Sequence, residues 1–229
     1  MSRSSTPKTV KSSAAQAFTR RVLVWFKRHG RDLPWRRTRD PYGVLVSEFM
    51  LQQTQVSRVT SYYPRFLARF STLERLAQAR PKTVREAWEG LGYYARARNL
   101  QAVARQVRKH HGGKLPENPD DLEKLPGIGP YTAGAVASFA FERPVPAVDT
   151  NVARVLRRVF VGPSASGTPD DVWELARWLV PKDGKRAWTF NQAVMELGAT
   201  VCVARRPKCE RCPVKLICRS GTYLERRMG

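Results

Sequence analysis

The chain has 229 residues, 42% of them hydrophobic, which is enough to bury a core in one ordinary domain or two small lobes. Forty-one Lys and Arg stand against 19 Asp and Glu, a formal charge of +22, so a polyanionic partner, first of all a nucleic-acid phosphate backbone, is expected to offset the self-repulsion. No run approaches the ~20 apolar residues that span a bilayer and no signal-peptide pattern is present, which excludes a membrane partner and predicts a soluble cytoplasmic, nucleoid-associated protein.

Residues 1–16 are rich in Ser, Thr and Lys and read as a disordered basic tail. From there the pattern is helical, broken by Gly and Pro, with no alternating strand signal. Helices are predicted over 17–29, 42–53, 55–70, 83–90, 94–110, 119–125, 131–141, 151–160, 169–179 and 187–201, joined by connections at 143–148 and 161–168. The fold class is therefore all-α.

Within the helix over 42–53, Glu48 shares a face with Val44, Leu45 and Leu51. That face should be dry, and burial favours the protonated carboxyl, as a group that donates to a leaving group requires; a salt-bridged or helix-end glutamate is the plain alternative. The amide-rich run Gln52-Gln53-Thr54-Gln55 follows at once, a composition suited to hydrogen-bonding bases.

Farther along, Leu125-Pro126-Gly127-Ile128-Gly129-Pro130-Tyr131-Thr132-Ala133 joins two predicted helices. Gly127 and Gly129 both permit positive φ and close approach of a ligand to the main chain. Amides at the second helix start could grip one phosphate without reading sequence, although an ordinary interhelical turn also uses such glycines.

Asp149 then precedes the amphipathic positions Val152, Val155, Leu156 and Val159. It reads as an N-cap, and a carboxylate kept ionised at a helix start could also stabilise an oxocarbenium ion at a sugar C1′. Near the end of the chain, Cys202-x6-Cys209-x2-Cys212-x5-Cys218 holds all four cysteines. A reduced compartment and a single Cys-x-x-Cys favour a [4Fe-4S] cluster over paired zinc knuckles or disulfides. Arg205, Arg206, Lys208, Arg211 and Lys215 crowd this loop, as if the cluster were a scaffold presenting cations to phosphates. His29, His110 and His111 carry no expected role.

Together these segments, with Leu33-Pro34-Trp35-Arg36 and Gly90-Leu91-Gly92-Tyr93-Tyr94-Ala95-Arg96, resemble the MutY-type adenine DNA glycosylases of the helix-hairpin-helix, endonuclease III-like superfamily, over about residues 25–218. The resemblance implies a monomer acting on mismatched double-stranded DNA, hydrolysing the N-glycosidic bond of a flipped adenine paired with guanine or 8-oxoguanine. It implies Glu48 as general acid, Asp149 as ion-stabilising carboxylate and Asn151 as their orienter. Tyr131 falls where endonuclease III has a Schiff-base lysine, so the lyase reaction should be absent or weak. Gln53 matches a residue that wedges into the base stack, Tyr93 one that intercalates, and Arg36, Leu51 and Gln192 map to the adenine pocket; core packing is the other reading of Tyr93 and Leu51. The resemblance further implies two lobes, a six-helix barrel over 34–141 and a second lobe from 17–33 and 142–218, with DNA and both carboxyls at the cleft and residues 219–229 as a tail. Two departures stand out. Thr150 replaces a frequent glycine, and the sequence stops shortly after Cys218, where the family continues into a domain that reads oxidised guanine, a short form shared with thymine and uracil mismatch glycosylases. Thymine or uracil removal, or DNA binding without catalysis, are the rival readings.

Overall fold

A computed structural model describes residues 11–163 and 168–221. Its helices are α1 (Ser12–His29), α2 (Pro41–Leu51), α3 (Val56–Arg69), α4 (Leu73–Gln78), α5 (Pro81–Ala87), α6 (Ala95–His110), α7 (Pro119–Leu122), α8 (Pro130–Phe141), α9 (Thr150–Leu156), α10 (Pro169–Leu179) and α11 (Gly184–Thr200), with no strand among the described residues. The all-α expectation holds. None of the described helices is long and apolar enough to cross a membrane.

Two details differ from the sequence pattern. Helix α1 begins at Ser12, so residues 12–16 of the expected tail are helical and Ala15 packs into a core; residues 1–10 lie outside the described range, as do 222–229 of the expected C-terminal tail and 164–167 of the connection. Helix α4 was not expected at all. It is only six residues long, too short to display a periodicity, and starts on a Thr72 side chain that accepts from Arg75 N at 3.2 Å.

The chain divides into two compact units, residues 32–143 and residues 1–31 with 144–229. In the first, Phe49, Phe66, Trp88 and Leu100 are sealed from solvent, and Trp88 meets Phe66 edge to face at 5.6 Å. Helices α2 and α8 are mostly apolar on all sides and pack on each other, which is why a polar residue on either is buried by default.

In the second unit, Phe18, Val22 and Trp25 of α1 join Val152, Val155 and Leu156 of α9, Leu175 of α10 and Phe190, Val194 and Leu197 of α11 in one core. The last turn of α9 widens into a π-helical turn over Arg157–Val161. Arg31 clasps the fully buried Glu196 with two bonds, Nε–Oε1 at 2.6 Å and Nη2–Oε2 at 3.1 Å, tying the end of α1 to α11.

Candidate nucleic-acid and catalytic site

In the 32–143 unit, Glu48 sits mid-way along α2 and is 3% exposed, as the apolar face predicted. Tyr131, the second residue of α8, donates its hydroxyl to Glu48 Oε2 at 2.7 Å, so the hairpin helix and the acid-bearing helix meet at this carboxyl. Gln52 Nε2 reaches Thr132 Oγ1 at 3.5 Å alongside. Leu51 closes α2 and is half-buried, and Arg36 ends a 3-10 turn, Pro34–Arg36.

The hairpin corrects one expectation. Gly127 has φ +74°, and a Cβ there would come within 2.5 Å of Asn99 Nδ2, so both conformation and packing demand glycine. Gly129, by contrast, is extended at φ −101°, ψ −178°, and nothing lies within 4 Å of its absent Cβ. Its smallness leaves open space in front of the α8 N-terminus instead of a left-handed bend. No side chain caps that helix and Pro130 offers no N–H; the amides of Tyr131 and Thr132 are the donors at the positive end of the dipole.

Gln53 and Tyr93 lie in the turns after α2 and before α6. Both adopt left-handed conformations, φ +55° and +47°, uncommon for side-chain-bearing residues. Tyr93 is 62% exposed, which removes core packing as an account of it. Gln53 is likewise exposed.

In the other unit, Asp149 caps α9 by accepting from Val152 N at 2.7 Å through Oδ1, while Oδ2 accepts from Asn151 Nδ2 at 2.8 Å. These bonds and the nearby Arg154 favour the carboxylate, but burial outweighs them and raises the Asp149 pKa above the ordinary aspartate value. The hydrogen bonds from Val152 and Asn151 and the charge of Arg154 only partly offset the desolvation. Asn151 also accepts from Arg154 Nη2 at 2.7 Å, and Arg154 donates onward to Gly198 O and Cys202 O at 2.7 and 2.8 Å. Gly198 permits this approach, since a Cβ there would fall 2.7 Å from Asn151 Cβ. No local spacing marks Arg154 for this role, because its link to Cys202 O joins positions 48 residues apart. Gln192 is buried on α11 at 5% exposure.

All four cysteines line one apolar cavity with Val155, Leu197 and Val214. Burial pushes the Cys212 thiol up to about 12, and Cys202, Cys218 and Cys209 beside it push the same way. Such a set is unfavourable as bare thiolates and suits a cationic group that they would ligate together. Four soft sulfur donors around one apolar cavity are a set whose chemistry fits an iron–sulfur group. Arg158 Nη1 lies 3.5 Å from Cys202 Sγ and donates to Val203 O at 2.7 Å, clamping the start of the loop.

Residues 46–181 match the HhH-GPD superfamily of base excision DNA repair proteins. The chain belongs to this superfamily. It is 47% identical over 216 residues to the adenine DNA glycosylase of Rattus norvegicus, which covers 89% of this chain but 42% of the rat protein. It is 38% identical to the thymine-DNA glycosylase of Aeropyrum pernix, with 89% and 93% covered. Among solved structures, this superfamily member superposes on a thermostable thymine-DNA glycosylase with TM-score 0.85 at 32% identity, covering 92% of this chain and 98% of that one. An endonuclease III–DNA complex gives 0.79 at 25%, covering 95% and 99%. The helix-hairpin-helix glycosylase fold is thereby shown.

Proposed function

We propose that the protein is a monofunctional DNA glycosylase that releases adenine mispaired with guanine or 8-oxoguanine. The observation that carries the reading is the buried Glu48 carboxyl held by the hydroxyl of Tyr131 at the start of the hairpin helix. Glu48 delivers a proton to the departing base, and Asp149, oriented by Asn151, faces the positive charge that develops on the sugar. A phenol at position 131 supplies no amine, so no Schiff base forms and the backbone is not cut. Arg36, Leu51 and Gln192 contact the flipped base, Gln53 and Tyr93 enter the stack, and the Gly127–Gly129 turn holds a phosphate of the mismatched duplex. Identity of 47% to an adenine glycosylase against 38% to a thymine glycosylase supports adenine as the substrate.

Cys202, Cys209, Cys212 and Cys218 would hold a [4Fe-4S] cluster, which would rigidly anchor the loop that carries Arg205, Arg206, Lys208, Arg211 and Lys215. Protein purified without chelators should be yellow-brown.

A second reading, removal of thymine or uracil, is favoured by the near-complete coverage of the Aeropyrum thymine-DNA glycosylase. Single-turnover assays on duplexes with A·G, A·8-oxoguanine, T·G and U·G separate the two. Adenine release from the first pair of duplexes, lost in Glu48→Gln and Asp149→Asn and leaving no borohydride-trapped adduct, is the expected result. Release of pyrimidines alone overturns the adenine assignment.

A further inference from the structure

Arg96, in the first turn of α6, is only 7% exposed, and every hydrogen bond it makes goes to main-chain carbonyls. Its Nη1 donates to Phe49 O at 3.1 Å, to Met50 O at 2.8 Å and to Gln52 O; its Nη2 donates to Leu91 O at 3.0 Å and Gly92 O at 3.1 Å. Nε is buried without a partner. The guanidinium also lies over the rings of Trp88 and Tyr93, 5.6 and 5.5 Å from their centroids.

Three of these acceptors belong to the C-terminal end of α2, whose last carbonyls lack helical partners and carry the negative end of the dipole. The other two belong to the turn ahead of α6. One planar cation thus closes both turns at once, and each turn presents one exposed residue in a left-handed conformation, Gln53 and Tyr93. Such conformations persist only where the surroundings over-determine them. A lysine offers a point charge and three donors that cannot reproduce the fork.

We propose that Arg96 is a positioning residue that sets the spacing of Gln53 and Tyr93, so that the search of a duplex by these two turns depends on a guanidinium buried behind them. The proposal rests on the reading of Gln53 and Tyr93 as DNA contacts.

The test places 2-aminopurine beside the mispaired adenine and measures fluorescence on binding, with Glu48→Gln as the background to stall turnover. Adding Arg96→Lys should lower the fluorescence rise and the preference for mismatched over matched duplex by about tenfold each, while matched-duplex affinity and its salt dependence stay within about twofold. A folded Arg96→Lys protein with an undiminished signal overturns the proposal. Gln53→Ala and Tyr93→Ala serve as controls: if neither changes the signal, the DNA reading of the turns fails, and the clamp is then judged by hydrogen exchange alone. In the unsubstituted protein, amides of residues 52–54 and 91–94 should open together with one denaturant dependence; independent opening overturns the clamp even where Arg96→Lys does not fold.

Discussion

Asp149 caps a helix from a buried position, at a cost to stability. Because burial raises its pKa in the folded protein, the folded state favours the protonated form. Its contribution is fully present below the unfolded aspartate value and is lost as pH rises through the folded pKa. At neutral pH its ionisation therefore destabilises the fold. Asparagine keeps an N-cap acceptor, so Asp149→Asn should melt higher than wild type at pH 7, with the difference shrinking as pH falls through the carboxylate range, while base release is lost. Thermal melts from pH 3 to pH 7 check the sign. Glu48 gives the companion case: Tyr131→Phe withdraws a donor from a sealed carboxyl and should cost about 1–2 kcal/mol by denaturant unfolding, with slower base release. The burial of Glu48 was legible in the sequence because Val44, Leu45 and Leu51 fix its face. The Tyr131 hydroxyl was not, because its bond joins positions 83 residues apart and no local pattern encodes that register.

At the scale of elements, the hairpin and the α1–α11 pair make opposite demands. Gly127→Ala forces a left-handed alanine against Asn99 and should cost about 1–3 kcal/mol. It should also weaken all duplexes alike and lower the salt slope by about one phosphate. The clasp between Arg31 and Glu196 is asymmetric, since Arg31 is 39% exposed and Glu196 fully buried. Arg31→Ala leaves a sealed carboxylate short of two donors and should cost about 3 kcal/mol. Glu196→Gln returns the guanidinium to solvent and should cost nearer 1 kcal/mol; chemical denaturation of both variants decides the order. Helices with a solvated face, such as α1 and α10, were legible from spacing, and the cysteine loop from its four residues. Helix α4 was not, since six residues carry no period, and the split roles of Gly127 and Gly129 escaped because glycine permits both conformations.

For the whole molecule, the +22 charge sets the energetics of DNA association. Matched-duplex affinity should fall about a thousandfold between about 50 and 200 mM salt, measured by fluorescence anisotropy, whereas discrimination of the mismatch should depend on salt far less. The chain spans 42% of the rat adenine glycosylase it matches, so the target base and the base opposite it are decided by the duplex panel. Composition pointed to a polyanion, while only the ordered motifs pointed to chemistry.

The unit that carries Asp149 and the cysteines is assembled from two separated stretches, with residues 32–143 inserted between them. During synthesis the inserted stretch leaves the ribosome in one piece and can collapse on local contacts, but α1 emerges first and finds its partner last. Phe18, Val22 and Trp25 stay without their core until α9 and α11 have been translated, so a nascent chain stalled before Gly184 exposes a greasy amphipathic helix, a natural target for a chaperone.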